Sequence, residues 1–293
     1  MSHILSLAAG TLPEYQPEQV ARAAGAAGFS HCGFTIEPDK WDAAALAATK
    51  AAIADHALAV LDVEVVWISE GGKLADDHKR IIEAGVELGA ANVLVVSSEP
   101  DPDRTAEALH QLCDWAAPGN MRVALEFLKI TAVQSMESAL AIIGKADHPA
   151  AALLIDAIHF QRAGHRPAQL EELEACLLPY TQICDGQRDC GDNFEAYLED
   201  AIDLRSCPGE GALPVAAVVK ALPQDIPLSL EIRSRAYRDR FPDATERAAA
   251  VRKASLELSH SKEHSYSLGS GPRPIEYNRA SPPLRFRSCR SDI

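Results

Sequence analysis

Residues 92–156 decide the fold. They contain NVLVV (92–96), TAEALHQLCDWA (105–116), RVALEF (122–127), SMESALAIIG (135–144) and ALLID (152–156). Three short runs rich in Val, Leu and Ile alternate with two Ala-rich segments whose apolar residues recur every three to four positions. The first pattern suits strands covered on both faces, the second amphipathic helices. Strand, helix and strand in this order make a βα unit, which requires a parallel sheet.

The same alternation extends in both directions. Strand-like runs precede at 4–8, 30–35 and 59–66, and follow at 181–185 and 228–232. Helical segments are expected at 17–27, 43–56, 76–88 and 168–178. Eight strand–helix units in about 260 residues match an α/β (β/α)8 TIM barrel. A doubly wound open sheet is the competing arrangement, but it usually has fewer strands, and no GxGxxG follows the first strand. The seventh interval is long, and residues 186–225 are expected to form an insertion over the barrel mouth.

The chain has 293 residues, with 42 Asp+Glu against 28 Lys+Arg and a formal net charge of −14. That balance disfavours a nucleic-acid surface, which needs a basic stripe. No apolar run approaches the roughly 20 residues of a membrane span, so no membrane partner is expected. No basic segment leads into an apolar one at the start, and the seven Cys form no CxxC. A cytoplasmic location with free thiols is expected. Residues 259–293 differ in composition: Ser, Pro and Arg dominate, with six Lys+Arg against three Asp+Glu. The expected division is a catalytic barrel over 1–258 and a disordered or loosely packed tail over 259–293.

Single acids stand within or at the ends of apolar strands: Glu64 in LDVEVVW, Glu126 in VALEF, Asp156 in LLID, Asp185 in TQICD and Glu231 in LSLEI. A buried carboxylate is unfavourable without a partner. The C-terminal strand ends of a barrel converge on one mouth, and clustered carboxylates repel. A divalent ion resolves the repulsion, and oxygen ligands suit Mg2+, Mn2+ or Co2+. The competing expectation is that each acid pairs with its own Arg or Lys.

At these residues the sequence resembles the xylose isomerase-like TIM-barrel superfamily of sugar isomerases, epimerases and dehydratases. The resemblance spans roughly 3–255. It rests on LEF with Glu126, LLIDAIHF with Asp156 and His159, TQICD, RSCPGEG with Arg205 and Glu210, and LSLEI with Glu231. It implies one divalent cation, Mn2+ or Mg2+ with Co2+ as a further candidate, held by Glu126, Asp156, Gln182 and Glu231. Gln182 departs from the commoner His, as in the 3-dehydroshikimate dehydratases of the superfamily, and this shifts the expectation away from Zn2+. Glu126, Glu231 and His159 are the implied catalytic groups, and Glu64, Arg205 and Asp185 the implied substrate contacts. Arg162 and Lys129 are candidate cations of the mouth. Homo-oligomerisation is common in relatives.

The implied activity is divalent-metal-dependent isomerisation or epimerisation of a sugar or polyol, a small hydroxy-carbonyl substrate, through proton abstraction next to the carbonyl and a metal-bound enediolate, with a 3-dehydroshikimate- or inosose-type dehydratase as the alternative. A dehydratase on the same site shares the first step. A non-catalytic binding barrel is the alternative from another class.

Overall fold

The computed structural model describes residues 3–258. The eight strands are β1 (Leu5–Leu7), β2 (His31–Thr35), β3 (Ala59–Ile68), β4 (Asn92–Ser97), β5 (Arg122–Glu126), β6 (Ala151–Asp156), β7 (Thr181–Ile183) and β8 (Leu228–Leu230). Each pairs in parallel with the next, and β8 returns to β1, closing the barrel. Each strand overlaps its expected run. The tail at 259–293 lies outside the described residues.

The helices between β1 and β6 are α1 (Pro17–Ala26), α2 (Ala43–Asp55), α3 (Asp76–Leu88), α4 (Pro102–Ala116) and α5 (Met136–Ala146). Their starts follow from local chemistry. Asp42, Asp101 and Ser135 each accept a hydrogen bond from the first turn of the helix they precede, satisfying N–H groups that have no partner within the helix. After β6 come α6 (Ala157–Arg162), α7 (Phe194–Asp203), α8 (Val215–Ala221), α9 (Arg235–Arg240) and α10 (Ala244–Leu258).

One expected helix is corrected. Residues 168–178 form no α-helix; two 3-10 turns, Pro167–Glu172 and Ala175–Leu177, take that place. The acidic run Glu171, Glu172 and Glu174 supplies no continuous apolar stripe, and Pro179 ends the segment before β7. The insertion at 186–225 does form, and it carries α7 and α8 rather than a plain loop.

Side chains alternate across the barrel wall. Val93, Val95, Val123 and Leu125 face the helices, whereas Leu94, Ala124, Ala152 and Leu154 pack inside the barrel. The registers Ser6↔Ser229, Gln182↔Ser229, Gly33↔Asp62 and Asp62↔Asn92 fix the interior. With strand tilt raising the level by about one residue per strand, inward side chains stack in layers from alternate strands. Ser6, Asp62, Ala124 and Tyr180 make one layer, and Gly33, Leu94, Leu154 and Ser229 the next. Glu64, Glu126 and Gln182 lie above them, with Asp156 and Glu231 at the mouth.

Cys32, Cys113, Cys184, Cys190 and Cys207 are free thiols.

Candidate functional site

The barrel gathers the predicted acids at its C-terminal end. Glu126 ends β5 and Asp156 ends β6. Asp156 also caps α6, its Oδ1 accepting the Ile158 N–H at 2.8 Å. That cap fixes the carboxylate and places His159 in the first turn of the same helix. Glu126, Asp156 and His159 offer ligand atoms that all lie within 4.8 Å of one another. Gln182 sits on β7, Glu64 on β3, and Glu231 directly follows β8. All six side chains are buried.

Two arginines from the mouth loops enter this cluster. Arg205 is 3% exposed. Its Nη1 donates to Asp156 Oδ2 at 2.6 Å and to Glu231 Oε2 at 2.8 Å, and its Nε donates to the Ala201 carbonyl at 2.6 Å. Arg233 Nε donates to Glu231 Oε1 at 3.1 Å, and its Nη2 lies 3.6 Å from Glu64 Oε1. Gly10 makes room for this pair: a Cβ there would lie 2.5 Å from both Arg233 Nε and Glu231 Oε1. Arg205 therefore pairs with two of the implied metal ligands and not with Glu210, which accepts from Tyr237 Oη and the Cys207 N–H.

Burial, then repulsion from Asp156 and Glu231, pushes the Glu126 carboxyl well above its usual range. Burial and Glu231 raise Glu64 to about 7, partly offset by Arg233. Burial and the neighbouring Arg205 hold His159 well below its usual value, so its imidazole is neutral. His159 Nδ1 lies 2.7 Å from Tyr197 Oη, and the two rings stack. Tyr197 comes from α7, whose start is capped by Asn193. The insertion thus supplies a residue that the sequence does not reveal, because a Tyr inside an amphipathic helix reads as core.

A cavity of about 690 Å3 opens beside Tyr197, lined also by Lys129, Gln161, Arg188, Asn193 and Phe194. Lys129 is at the mouth, in keeping with its place after Glu126. Arg162 also borders this cavity, but its guanidinium is committed to Asp200 at 2.8 Å and to the Arg188 and Gln187 carbonyls, fastening the insertion to α6. Asp185 is likewise occupied. Its carboxylate accepts the N–H groups of Gly186, Gly209 and Leu213, so it shapes the mouth loop rather than facing a substrate.

The residues fit a divalent ion. Fully ionised, Glu64, Glu126, Asp156 and Glu231 would carry four negative charges against the two guanidiniums of Arg205 and Arg233, a difference of two that a divalent ion would balance. The Glu126 carboxylate accepts no hydrogen bond among the described residues. Both amide atoms of Gln182 are buried without a partner, an arrangement unfavourable unless something is ligated or hydrogen-bonded there. Of the expected ligands, Glu126 and Asp156 come together with His159, while Glu231 is joined to Asp156 through the Arg205 guanidinium.

The family described as xylose isomerase-like TIM barrel matches residues 19–258, and the chain belongs to it. No curated protein matches in sequence. Among solved structures, a xylose isomerase-like TIM barrel/4-hydroxyphenylpyruvate dioxygenase fusion protein is similar with TM-score 0.76 and 22% identity. The match covers 89% of this chain and 43% of the fusion, so this chain spans less than half the length of that protein. The IolI protein, described as binding a zinc atom, is similar with TM-score 0.72 and 19% identity, over 87% of this chain and 97% of its own. The probable 3-DHS dehydratase AsbF from Bacillus anthracis is similar with TM-score 0.66 and 13% identity, over 90% and 100%. Among the described residues no helix is long and apolar enough to cross a membrane.

Proposed function

We propose that the chain is a divalent-metal-dependent isomerase that removes a proton next to the carbonyl of a small polyhydroxylated compound. The observation that carries this is Glu126: a buried carboxylate free of hydrogen-bond donors, raised in pKa by burial and then by its acidic neighbours, and grouped with Asp156 and His159 as potential ligands. Glu126, Asp156, Gln182 and Glu231 would hold the ion, with His159 in reach. Bound there, it would polarise the substrate carbonyl and make the adjacent C–H more acidic. The oxygen-rich donors favour Mn2+ or Mg2+, and the His159 nitrogen admits Co2+.

Glu126, whose carboxylate accepts no hydrogen bond from the described residues, takes the proton from carbon. Neutral His159, backed by the Tyr197 hydroxyl, moves a proton between the substrate oxygens. Glu231 is held in place by charge-assisted bonds to Arg205 and Arg233. One mobile base favours isomerisation on a single face over epimerisation, which needs a base on each side.

A dehydratase is the second reading, and Gln182 favours it. AsbF, a probable 3-DHS dehydratase, shares the fold. Proton loss to Glu126 would then be followed by departure of a β-hydroxyl protonated by the His159–Tyr197 pair. The test is incubation of the Mn2+-loaded protein in D2O with a panel of ketoses and with 3-dehydroshikimate, followed by mass spectrometry. Isomerisation incorporates deuterium with no loss of atoms, and dehydration loses one water. No deuterium uptake and no product with any of them contradicts both readings and leaves a binding barrel.

A further inference from the structure

Below the layer of Glu64, Glu126 and Gln182 the barrel interior mixes polar side chains with Leu94, Ala124, Ala152 and Leu154, where such barrels are ordinarily filled by branched aliphatic side chains throughout. Ser6, Asp62, Asn92, Tyr180, Gln182 and Ser229 each bury a side-chain atom that has no hydrogen-bond partner. Their registers place them on the inner face of the wall: Ser6 pairs with Ser229, Ser229 with Gln182, and Asp62 with Asn92. Tyr180 packs with the inner cluster of Leu94, Ala124 and Leu154. Among the described residues no two of the six bond to each other, so each leaves a buried polar atom to be satisfied from within the barrel.

Asp62 is the focus. It is fully buried, and both carboxylate oxygens lack a partner. Gly33, its neighbour on β2, leaves room for it: a Cβ there would lie 2.6 Å from Asp62 Oδ1. Ala124 in the same layer is also small. A buried carboxylate with no counter-charge is strongly unfavourable. Burial, then repulsion from Glu64 and Glu231, pushes the Asp62 carboxyl well above the usual range, so the ionised form calls for a cation beside it.

The charge count points the same way. Five carboxylates, Asp62, Glu64, Glu126, Asp156 and Glu231, face the interior with two guanidiniums. With all five ionised, a divalent ion at the mouth leaves one negative charge; neither arginine bonds Glu126 or Asp62, and of these two Glu126 would be a ligand of that ion. This count rests on the proposed metal reading; the unpartnered oxygens do not.

We propose that the barrel interior binds a monovalent cation, K+ or Na+, beneath the catalytic layer. Asp62 supplies the charge, and Asn92 Oδ1, Ser6 Oγ, Ser229 Oγ and Tyr180 Oη supply neutral oxygens. One carboxylate among neutral oxygens balances one positive charge. The six offer neither thiolate nor imidazole, so softer metals find no preferred donor. Gln182 forms the wall between the two sites.

The test uses the full chain. Crystals soaked in Tl+ are expected to show an anomalous peak beside Asp62, below Gln182. In solution, replacing choline chloride by KCl at equal ionic strength is expected to raise Tm by roughly 5 °C at a hundredfold excess over Kd. Asp62→Asn abolishes both signals. If that variant does not fold, Ser6→Ala and Ser229→Ala are expected to raise the K+ midpoint. Equal Tm in KCl and choline chloride with no Tl+ peak below Gln182 overturns the proposal; Asp62 is then a protonated acid among waters, visible as a carboxylic C=O infrared band. A Tl+ peak confined to Glu126, Asp156 and Glu231 also overturns it. Divalent content, measured separately by elemental analysis, keeps this failure distinct from failure of the mouth site.

Discussion

Arg205 does at the mouth what the acids cannot do for one another. One nitrogen holds Asp156 and Glu231 at 2.6 and 2.8 Å. Arg205→Met leaves two buried carboxylates facing each other, and breaking such a pair costs about 3–5 kcal/mol. We expect the unfolding free energy to fall by that amount in metal-free buffer, and much of it to return with Mn2+, which replaces the lost positive charge. Glu126→Gln should behave in the opposite way. It removes a repelling carboxylate without removing a hydrogen bond, so stability should hold while turnover falls by ~10²–10⁴, the usual contribution of a general base. Denaturant titrations and steady-state rates on the same preparation check both.

At the scale of elements, α7 joins the fold to the chemistry. Its apolar inner face buries Tyr197 and Ala201, Asn193 caps its start, and the buried Arg162–Asp200 pair ties it to α6. Tyr197→Phe should lower turnover by weakening the hold on His159, while changing stability by only about 1 kcal/mol. A mutant as active as the parent would remove Tyr197 from the mechanism. Elements are also where the sequence is most readable. Strands buried on both faces write nearly continuous apolar runs, so all eight are legible, and the lone acids Glu126, Asp156 and Glu231 stand out against them. The partners of those acids do not. Arg205 reads only as a cation in a loop, and its partners depend on how an insertion folds back across the mouth. Segment 168–178 misleads because Leu and Ala are frequent there, while its acids interrupt any continuous apolar face. Asp62 is hidden because it shares β3 with Glu64, and only barrel closure shows which layer each occupies.

For the whole molecule, folding concentrates carboxylates inside a barrel, and stability should record this. Glu64 is raised from 4.5 to about 7 by burial and by Glu231. The native state therefore binds its proton more tightly than the unfolded chain does. The contribution is complete below about pH 4.5 and is lost as pH rises through about 7, with a slope of up to about 1.4 kcal/mol for each pH unit in between. Metal-free protein should lose Tm across that window, and Glu64→Gln should flatten the slope. A divalent ion should also reduce it, by stabilising the ionised carboxylates. The central claim is that such an ion sits among Glu126, Asp156, Gln182 and Glu231. Its most direct test is elemental analysis after Mn2+ loading and desalting, on the parent and on the Glu126→Gln/Glu231→Gln double variant. The account predicts about one ion per chain in the parent and none in the variant. No ion in the parent, or equal content in both, would contradict it.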